Sequence, residues 1–361
     1  MSEPLLDIIV PVHDARRPVA RLASSVLAGT STPLRLTFVC HGIPSASLGT
    51  ALGEWRHDLR VRMIEHSDGA TGPAGPFLAG LARATAPYVM KIDSDDTVER
   101  GAIDAWMKLR QAANADIVIC RMRAASAGRD WSTPPARPGR RLHLDPVKDR
   151  LAYRTSTMGI IARERMTDAP PNRAVRTGED IASGLRLWFS GASIALATHE
   201  PAYLVHDDGP ARATERRPLA EELKWLEAFS ADDVLSHLPP RARAAIATKL
   251  IRVQLFGAAT SRIDELGPDE LRRLAAASRQ IVVFGSGVPP WLSRADRDLL
   301  DALLTGATDQ TLLKALLARR RRFGRPVTLL PRSLRWTFHR EAPIRAMMAF
   351  AWASRRRTRR L

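Results

Sequence analysis

Apolar side chains run unbroken from Ile8 to Val12, just behind Leu5, Leu6 and Asp7. A continuous run of that length suits a strand covered on both faces, as in a parallel sheet. From 17 to 28 the period changes, with Val19, Leu22, Val26 and Leu27 falling on one side, and this predicts a helix. Strand-like runs return at 34–40, 60–64, 87–92 and 115–120, separated by helical stretches around 47–56, near 77–85 and at 99–113. Strands alternating with helices in this way predict an α/β sheet of parallel order. Ligands of such sheets sit beyond the carboxyl ends of the strands. Residues 9–14, 38–43, 64–70 and 92–96 are therefore expected to converge on one crevice.

Residues 124–146 are rich in Pro, Arg, Gly and Ser and read as a long irregular segment. Helical spacing resumes near Gly178, carries Ile181, Leu185, Trp188 and Phe189, and stops at Gly191. A strand at 193–198 and the run Pro201–His206 follow. Beyond about Arg216 the chain reads as mostly helical, with one short apolar run at 281–284. A boundary near 215–220 divides an α/β unit, 1–215, from a helical region, 216–361. No internal repeat is visible.

Charge changes the reading of the second region only. The chain of 361 residues carries a formal net charge of +17. From Thr311 to Leu361 there are 15 Lys and Arg against a single acid, Glu341, which leaves +14 there and the rest of the chain close to neutral. A basic partner surface is thus expected at the tail alone. Arg319–Arg322 and five further arginines in 355–360 bracket Leu334, Trp336, Phe338, Ile344, Met347, Met348, Phe350 and Trp352. Arginines mixed with aromatic and Met side chains suit a helix lying on an anionic membrane surface. The same pattern also suits an apolar face docked on the α/β unit with a solvated tail, and the two readings weigh equally. No apolar run reaches the length of a membrane span, and the N-terminus lacks the charge and apolar core of a signal peptide. Cys40 and Cys120 lie inside apolar runs, as reduced thiols would. The expected location is the cytoplasm, with peripheral attachment at the inner face of the cell membrane through the tail. The tail carries no helix-turn-helix, zinc-finger or aromatic RNA-binding signature, so no nucleic-acid partner is expected.

Three constellations can carry chemistry. Lys91-Ile-Asp93-Ser-Asp95-Asp96 sets three carboxylates at the end of an apolar strand. Carboxylate oxygen suits Mg²⁺ or Mn²⁺, the ions that neutralise a diphosphate. The plainer reading is that Asp95 or Asp96 caps a helix beginning near Val98. Gly178-Glu179-Asp180 opens a helix. A carboxylate there is favoured by the helix dipole, and it can also act as the general base for a sugar hydroxyl, a poor nucleophile. His206, followed by Asp207 and Asp208, completes a metal site only if it lies near Asp95.

In that order and spacing, Ile-Ile-Val-Pro-Val-His-Asp at 8–14, Lys-Ile-Asp-Ser-Asp-Asp at 91–96 and Gly-Glu-Asp at 178–180 resemble the family 2 glycosyltransferases of GT-A fold. Gly191, the strand at 193–198, Pro201-Ala-Tyr203 and Thr214 extend the resemblance to roughly residues 5–214. It implies a GT-A (Rossmann-like) mixed, mostly parallel sheet flanked by helices and an inverting transfer from a nucleotide diphosphate sugar to an acceptor hydroxyl. UDP sugars come first among the donors, and a glycan or lipid-linked molecule of bacterial cell-surface synthesis is the implied acceptor. By position, Pro11, Val12 and His13 would border the nucleoside and Asp93 would approach the ribose and diphosphate. Asp95, with Asp93 and His206, would hold Mg²⁺ or Mn²⁺, and Asp180 would be the base. Two departures stand out. Cys40-His41-Gly42 replaces the family's usual acidic pair and Gly-Ser, and Gly75-Pro76 stands near its usual Arg-Asn.

A nucleotidyltransferase is the nearest enzymatic alternative, but residues 13–18 make a poor version of the Gly-rich basic loop such enzymes need. A non-enzymatic nucleic-acid-binding protein is the alternative outside enzymes.

Overall fold

The computed structural model describes residues 3–70, 72–208, 217–307 and 309–358, with the last four of these as backbone only. Its main sheet has seven strands in the order β3-β2-β1-β4-β8-β6-β9. These are β1 (Leu6–Val12), β2 (Leu34–His41), β3 (Val61–His66), β4 (Tyr88–Lys91), β6 (Ile117–Ile119), β8 (Gly159–Ala162) and β9 (Ile194–Leu196). A smaller sheet orders β5 (Thr97–Val98), β10 (Tyr203–Val205) and β7 (Met122–Ala124) as β5-β10-β7. Six helices accompany them: α1 (Val19–Leu27), α2 (Ser45–Leu52), α3 (Ala74–Leu81), α4 (Ala102–Ala113), α5 (Arg163–Asp168) and α6 (Glu179–Phe189).

The continuous apolar run of β1 has a simple cause. Successive side chains point to opposite faces of a strand, and both faces are covered. Leu6, Ile8, Val10 and Val12 enter a core with Leu22 and Val26 of α1 and Ile103 and Trp106 of α4. Ile9 enters the opposite core with Phe77 and Leu81 of α3 and with Leu187 and Trp188 of α6. Buried indoles need a hydrogen-bond acceptor. Trp106 donates to the Pro201 carbonyl at 3.1 Å and Trp188 to the Arg154 carbonyl at 2.6 Å, which tie the layers to the loops beside the site.

The sheet is mixed and mostly parallel, as the resemblance implies, with β8 antiparallel to both of its neighbours, β4 and β6. Its four residues, Gly-Ile-Ile-Ala, are too few to show a period. Neither Asp95 nor Asp96 caps a helix near Val98. Thr97–Val98 is strand β5, and the next helix begins at Ala102 behind Gly101. Cys40 and Cys120 are buried and unbridged, as expected.

The rest of the described chain is helical: α7 (Leu219–Glu222), α8 (Lys224–Ser230), α9 (Asp233–Ser236), α10 (Pro240–Lys249), a π-helical turn at Leu250–Leu255, α11 (Phe256–Ser261), α12 (Pro268–Phe284), α13 (Arg294–Leu304), α14 (Gln310–Arg320), α15 (Pro326–Leu329) and α16 (Pro343–Thr358). The apolar run at 281–284 is the last turn of α12. Helices α7 to α14 share one core, and Ile181 and Leu185 of α6 are part of it together with Ala152 and Val175. The helix that opens with Glu179-Asp180 therefore packs on the sheet with one side and on the C-terminal helices with the other. Among the described residues no helix is long and apolar enough to cross a membrane. Residues 209–216, with Thr214 and the edge of the expected boundary, lie outside the described residues, as do the side chains of 355–361.

Candidate active site

Strand β4 delivers the acidic turn. Past Lys91 the buried Ile92 keeps the chain against the sheet, and the Asp96 amide donates to the Asp93 carbonyl at 3.0 Å, closing the turn. Asp96 points inward and is 5% exposed. Its carboxylate accepts the Tyr203 hydroxyl at 2.7 Å and the His206 amide at 2.9 Å, while the Tyr203 oxygen accepts the Asp93 amide at 3.1 Å. Strand β10 thus clamps the turn through Tyr203. Burial, reinforced by Asp93, pushes the Asp96 carboxyl up to about 7. Asp93 and Asp95 are left facing outward.

Asp95 already has a cationic partner. Arg17, just before α1, sets a buried guanidinium against its carboxylate, and Arg21 donates to its carbonyl at 2.9 Å while pairing with Asp208 at 2.6 Å. The ring of His206 lies with Nε2 2.8 Å from the Thr97 hydroxyl. Burial, followed by Arg21, lowers its pKa. Asp93, Asp95 and His206 thus share one corner of the molecule. Among the described residues, however, no three His, Cys, Asp or Glu side chains come together as ligands. As arranged, the corner holds guanidinium groups rather than the geometry of a divalent ion, and an ion at Asp95 would have to displace Arg17.

Across from this turn, α6 begins at Gly178. Its φ of +76° favours glycine, and a Cβ there would lie 2.9 Å from Ile181 Cδ1. This glycine turns the chain so that Glu179 and Asp180 occupy the first helical turn. Both line a cavity with Lys91, Phe77, Thr157 and Met166. Burial raises the pKa of Glu179, and the neighbouring Asp180 adds to the effect. Asp180 is also raised by burial, with Lys91 and Lys249 opposing. Lys91 joins the two acidic stretches. Its ammonium is 3.2 Å from Asp93 Oδ1, and although burial would lower its pKa, Asp93, Glu179 and Asp180 outweigh that and raise it.

The nucleoside end is built from the carboxyl ends of β1, β2 and β3. Pro11 and Val12 are buried in register with Val39 and Cys40, so at this end of β1 only His13 presents an exposed side chain. Partial burial against the crevice wall, then Arg17, lowers the His13 pKa, and His41 and Asp95 are close enough to act on it. A carboxylate from the loop after β3 meets the end of β2. Asp68 Oδ1 lies 2.9 Å from His41 Nε2, and the His41 and His66 rings stack at 5.8 Å. This contact holds the Asp68 carboxyl far below the usual range. Gly75 makes room for it, since a Cβ there would sit 1.9 Å from Asp68 Oδ2.

Sequence reasoning missed Asp68, Arg17, Lys91 as a link and Lys249. Lys91 stood inside the motif and could have been read as the counter-ion of its aspartates. Nothing in the sequence marked the other three, which reach the site only through tertiary packing.

The site therefore sets an outward acidic turn, a half-buried pair of carboxylates and a bridging lysine beside a histidine-lined crevice. Residues 7–170 match the model of glycosyl transferase family 2. Glycosyltransferase GlyG of Streptococcus pneumoniae serotype 4 is 27% identical over 119 residues, which are 33% of this chain and 39% of that protein. The match thus spans well under half of that relative's length. Among solved structures, S. aureus TarS 1–349 in complex with UDP-GlcNAc superposes with a TM-score of 0.70 at 15% identity, covering 89% of this chain and 93% of that one. S. aureus TarS gives a TM-score of 0.69, with 88% and 55% covered. At that identity the likeness is one of fold, and it extends over the C-terminal helices as well as the sheet. Residues 7–170 thus carry a match to glycosyl transferase family 2, on a scaffold with a GT-A-like fold.

Proposed function

We propose that this chain transfers a sugar, with inversion, from a nucleotide diphosphate sugar to an acceptor hydroxyl. Asp180 takes the acceptor's proton as the acceptor oxygen bonds to the anomeric carbon from the face opposite the diphosphate. The bond from that carbon to the diphosphate oxygen breaks, and the nucleoside diphosphate leaves with the electron pair. Asp93 approaches the ribose and diphosphate, and His13 borders the nucleoside with the Pro11–Val12 backbone. The observation that carries this reading is Lys91, which touches Asp93 and lines one cavity with Asp180. The cationic groups already beside the turn, Arg17, Arg21 and Lys91, suit a leaving group on which negative charge grows. UDP is the first nucleotide to try, since the similar fold of TarS 1–349 is in complex with UDP-GlcNAc.

Metal dependence is part of the proposal. Asp95 is the carboxylate that Mg²⁺ or Mn²⁺ would take, after Arg17 has released it, and the ion would neutralise the diphosphate. Since the residues do not fit an ion as they stand, no step above is routed through one.

The catalytic unit is assigned to 1–215, and 216–361 is assigned to support and attachment. The supporting observation for attachment is an exposed apolar set within the basic tail, with Phe338 75% and Met348 67% exposed. A lipid-linked or surface-glycan acceptor at the cytoplasmic face of the cell membrane fits such a surface. Binding to anionic vesicles that fades with salt would support it, and no binding at moderate salt would refute it.

The test of the main reading is a thermal-shift series with UDP, GDP and dTDP, each with EDTA, Mg²⁺ or Mn²⁺. One nucleotide diphosphate is expected to raise the melting temperature, and Asp95→Ala is expected to remove any metal-dependent part of the rise. No shift with any nucleotide would overturn the reading.

A further inference from the structure

Lys249 ends α10, and nothing in the chemistry above uses it. It is 1% exposed, and its ammonium nitrogen has no hydrogen-bond partner among the described residues. A buried charge without a partner is costly, and an apolar side chain of similar length would pack there without that cost. Burial alone pushes its pKa down to about 7, and the charge that opposes this is Asp180. Lys249 and Asp180 lie on different elements, one in the C-terminal helices and the other at the start of α6, but their chain neighbours Leu250 and Ile181 are buried in one core.

The surroundings fix Lys249 in place. A π-helical turn, Leu250–Leu255, follows it immediately, and such turns are found often at functional sites. Arg252 pins that turn, donating to the Glu341 carbonyl at 2.8 Å and lying 3.4 Å from the Tyr153 hydroxyl. Tyr153 belongs to the short segment Leu151–Tyr153, on which α10 and α6 both pack. The backbone that carries Lys249 is therefore braced from both regions of the chain. The charged groups acting on Asp180 are Lys91 and Asp93 from β4 and its turn, Lys249 from α10, Arg154 from the loop after Tyr153, and the adjacent Glu179.

We propose that Lys249 is a positioning residue for glycosyl transfer, supplied by the C-terminal helices as a buried positive charge near the Asp180 carboxylate, which lines the cavity with Lys91. This rests on the transfer reading above. It gives the helical region a part in the reaction, so that residues 7–170 with α6 are not sufficient for it.

The test uses the full chain, with UDP-GlcNAc as donor and UDP release as readout, in wild type, Asp180→Asn, Lys249→Met and Lys249→Gln. Removing the ammonium leaves Asp180 protonated to higher pH, so the acid limb of the kcat profile moves up by about one pH unit and kcat at pH 7 falls about tenfold. KM for the donor stays the same, and the melting temperature stays level or rises because a buried unpaired charge is gone. Wild-type kcat and an unmoved acid limb in the Lys249 variants would overturn the proposal. Failure of both to fold would also overturn it, since the ammonium would then be supporting the structure. No UDP release from wild type is a different result: it means the transfer reading has failed and the role of Lys249 with it.

Discussion

The Lys91 ammonium sits 3.2 Å from Asp93 Oδ1 and lines one cavity with Glu179 and Asp180. One lysine thus neutralises carboxylates from two stretches of chain that are distant in sequence. Lys91→Met would leave those acids facing each other without their common counter-charge. The expected loss is about 2 kcal/mol, less than for a fully buried pair because Asp93 is partly exposed to water. Urea unfolding at pH 7.5 measures it. The loss should shrink at pH 5, where more of the raised Glu179 and Asp180 carboxyls are protonated.

Asp96 gives a separate pH signature. Its folded-state pKa of about 7 lies above the ordinary value of 3.8. Its contribution is therefore fully present below about pH 4 and is lost as pH rises to about 7. Between pH 5 and pH 8 this carboxyl alone should cost about 2–3 kcal/mol. Asp96→Asn keeps an acceptor for the His206 amide and does not titrate. The variant should gain on wild type by about that amount at pH 8 relative to pH 5, in denaturant midpoints taken at both.

The C-terminal helices are held to the α/β region by a buried ionic network. Arg150, 5% exposed, places Nε 3.5 Å from Glu341 Oε1 and donates to the Arg340 carbonyl at 2.6 Å. Arg252 reaches the Glu341 carbonyl and Asp296, and Arg320 donates to Asp296 at 2.8 Å. Glu341→Ala leaves buried guanidinium groups unbalanced and should cost about 3–5 kcal/mol. Arg150→Met with Glu341→Met should cost less than the two single changes added together, which a double-mutant cycle reads directly.

Gly75→Ala tests the nucleoside end. The new methyl would meet the Asp68 carboxylate and push it off His41. Nucleotide binding is expected to weaken about tenfold, with a loss of stability of about 1–3 kcal/mol. Isothermal titration with UDP, beside a thermal melt of the free protein, separates the two effects.

What the sequence made legible is what is local or periodic. Ile8–Val12 reads as a doubly covered strand because both cores take its side chains. Lys91–Asp96 and Gly178–Asp180 read as site elements because their acids are contiguous. Strand β8 could not be read, since Gly159–Ala162 has no period and owes its direction to its neighbours. Asp68 escaped because it meets His41 only through the packing of the loop after β3 against the end of β2. Arg17 stood at the start of a predicted helix with nothing to mark it, and it is the partner of Asp95. Lys249 had no signal, because its importance lies in burial beside Asp180 and burial of a lone lysine leaves no mark on a helical pattern.

Everything proposed for the reaction depends on Asp180 removing the acceptor's proton next to a donor held at the acidic turn. The direct measurement is to compare wild type with Asp180→Asn, following UDP binding by thermal shift and UDP release from UDP-GlcNAc in parallel. Asp180→Asn should keep the UDP-dependent shift and lose UDP release by about a hundredfold or more. Release at the wild-type rate from a folded, UDP-binding Asp180→Asn protein would contradict the assignment.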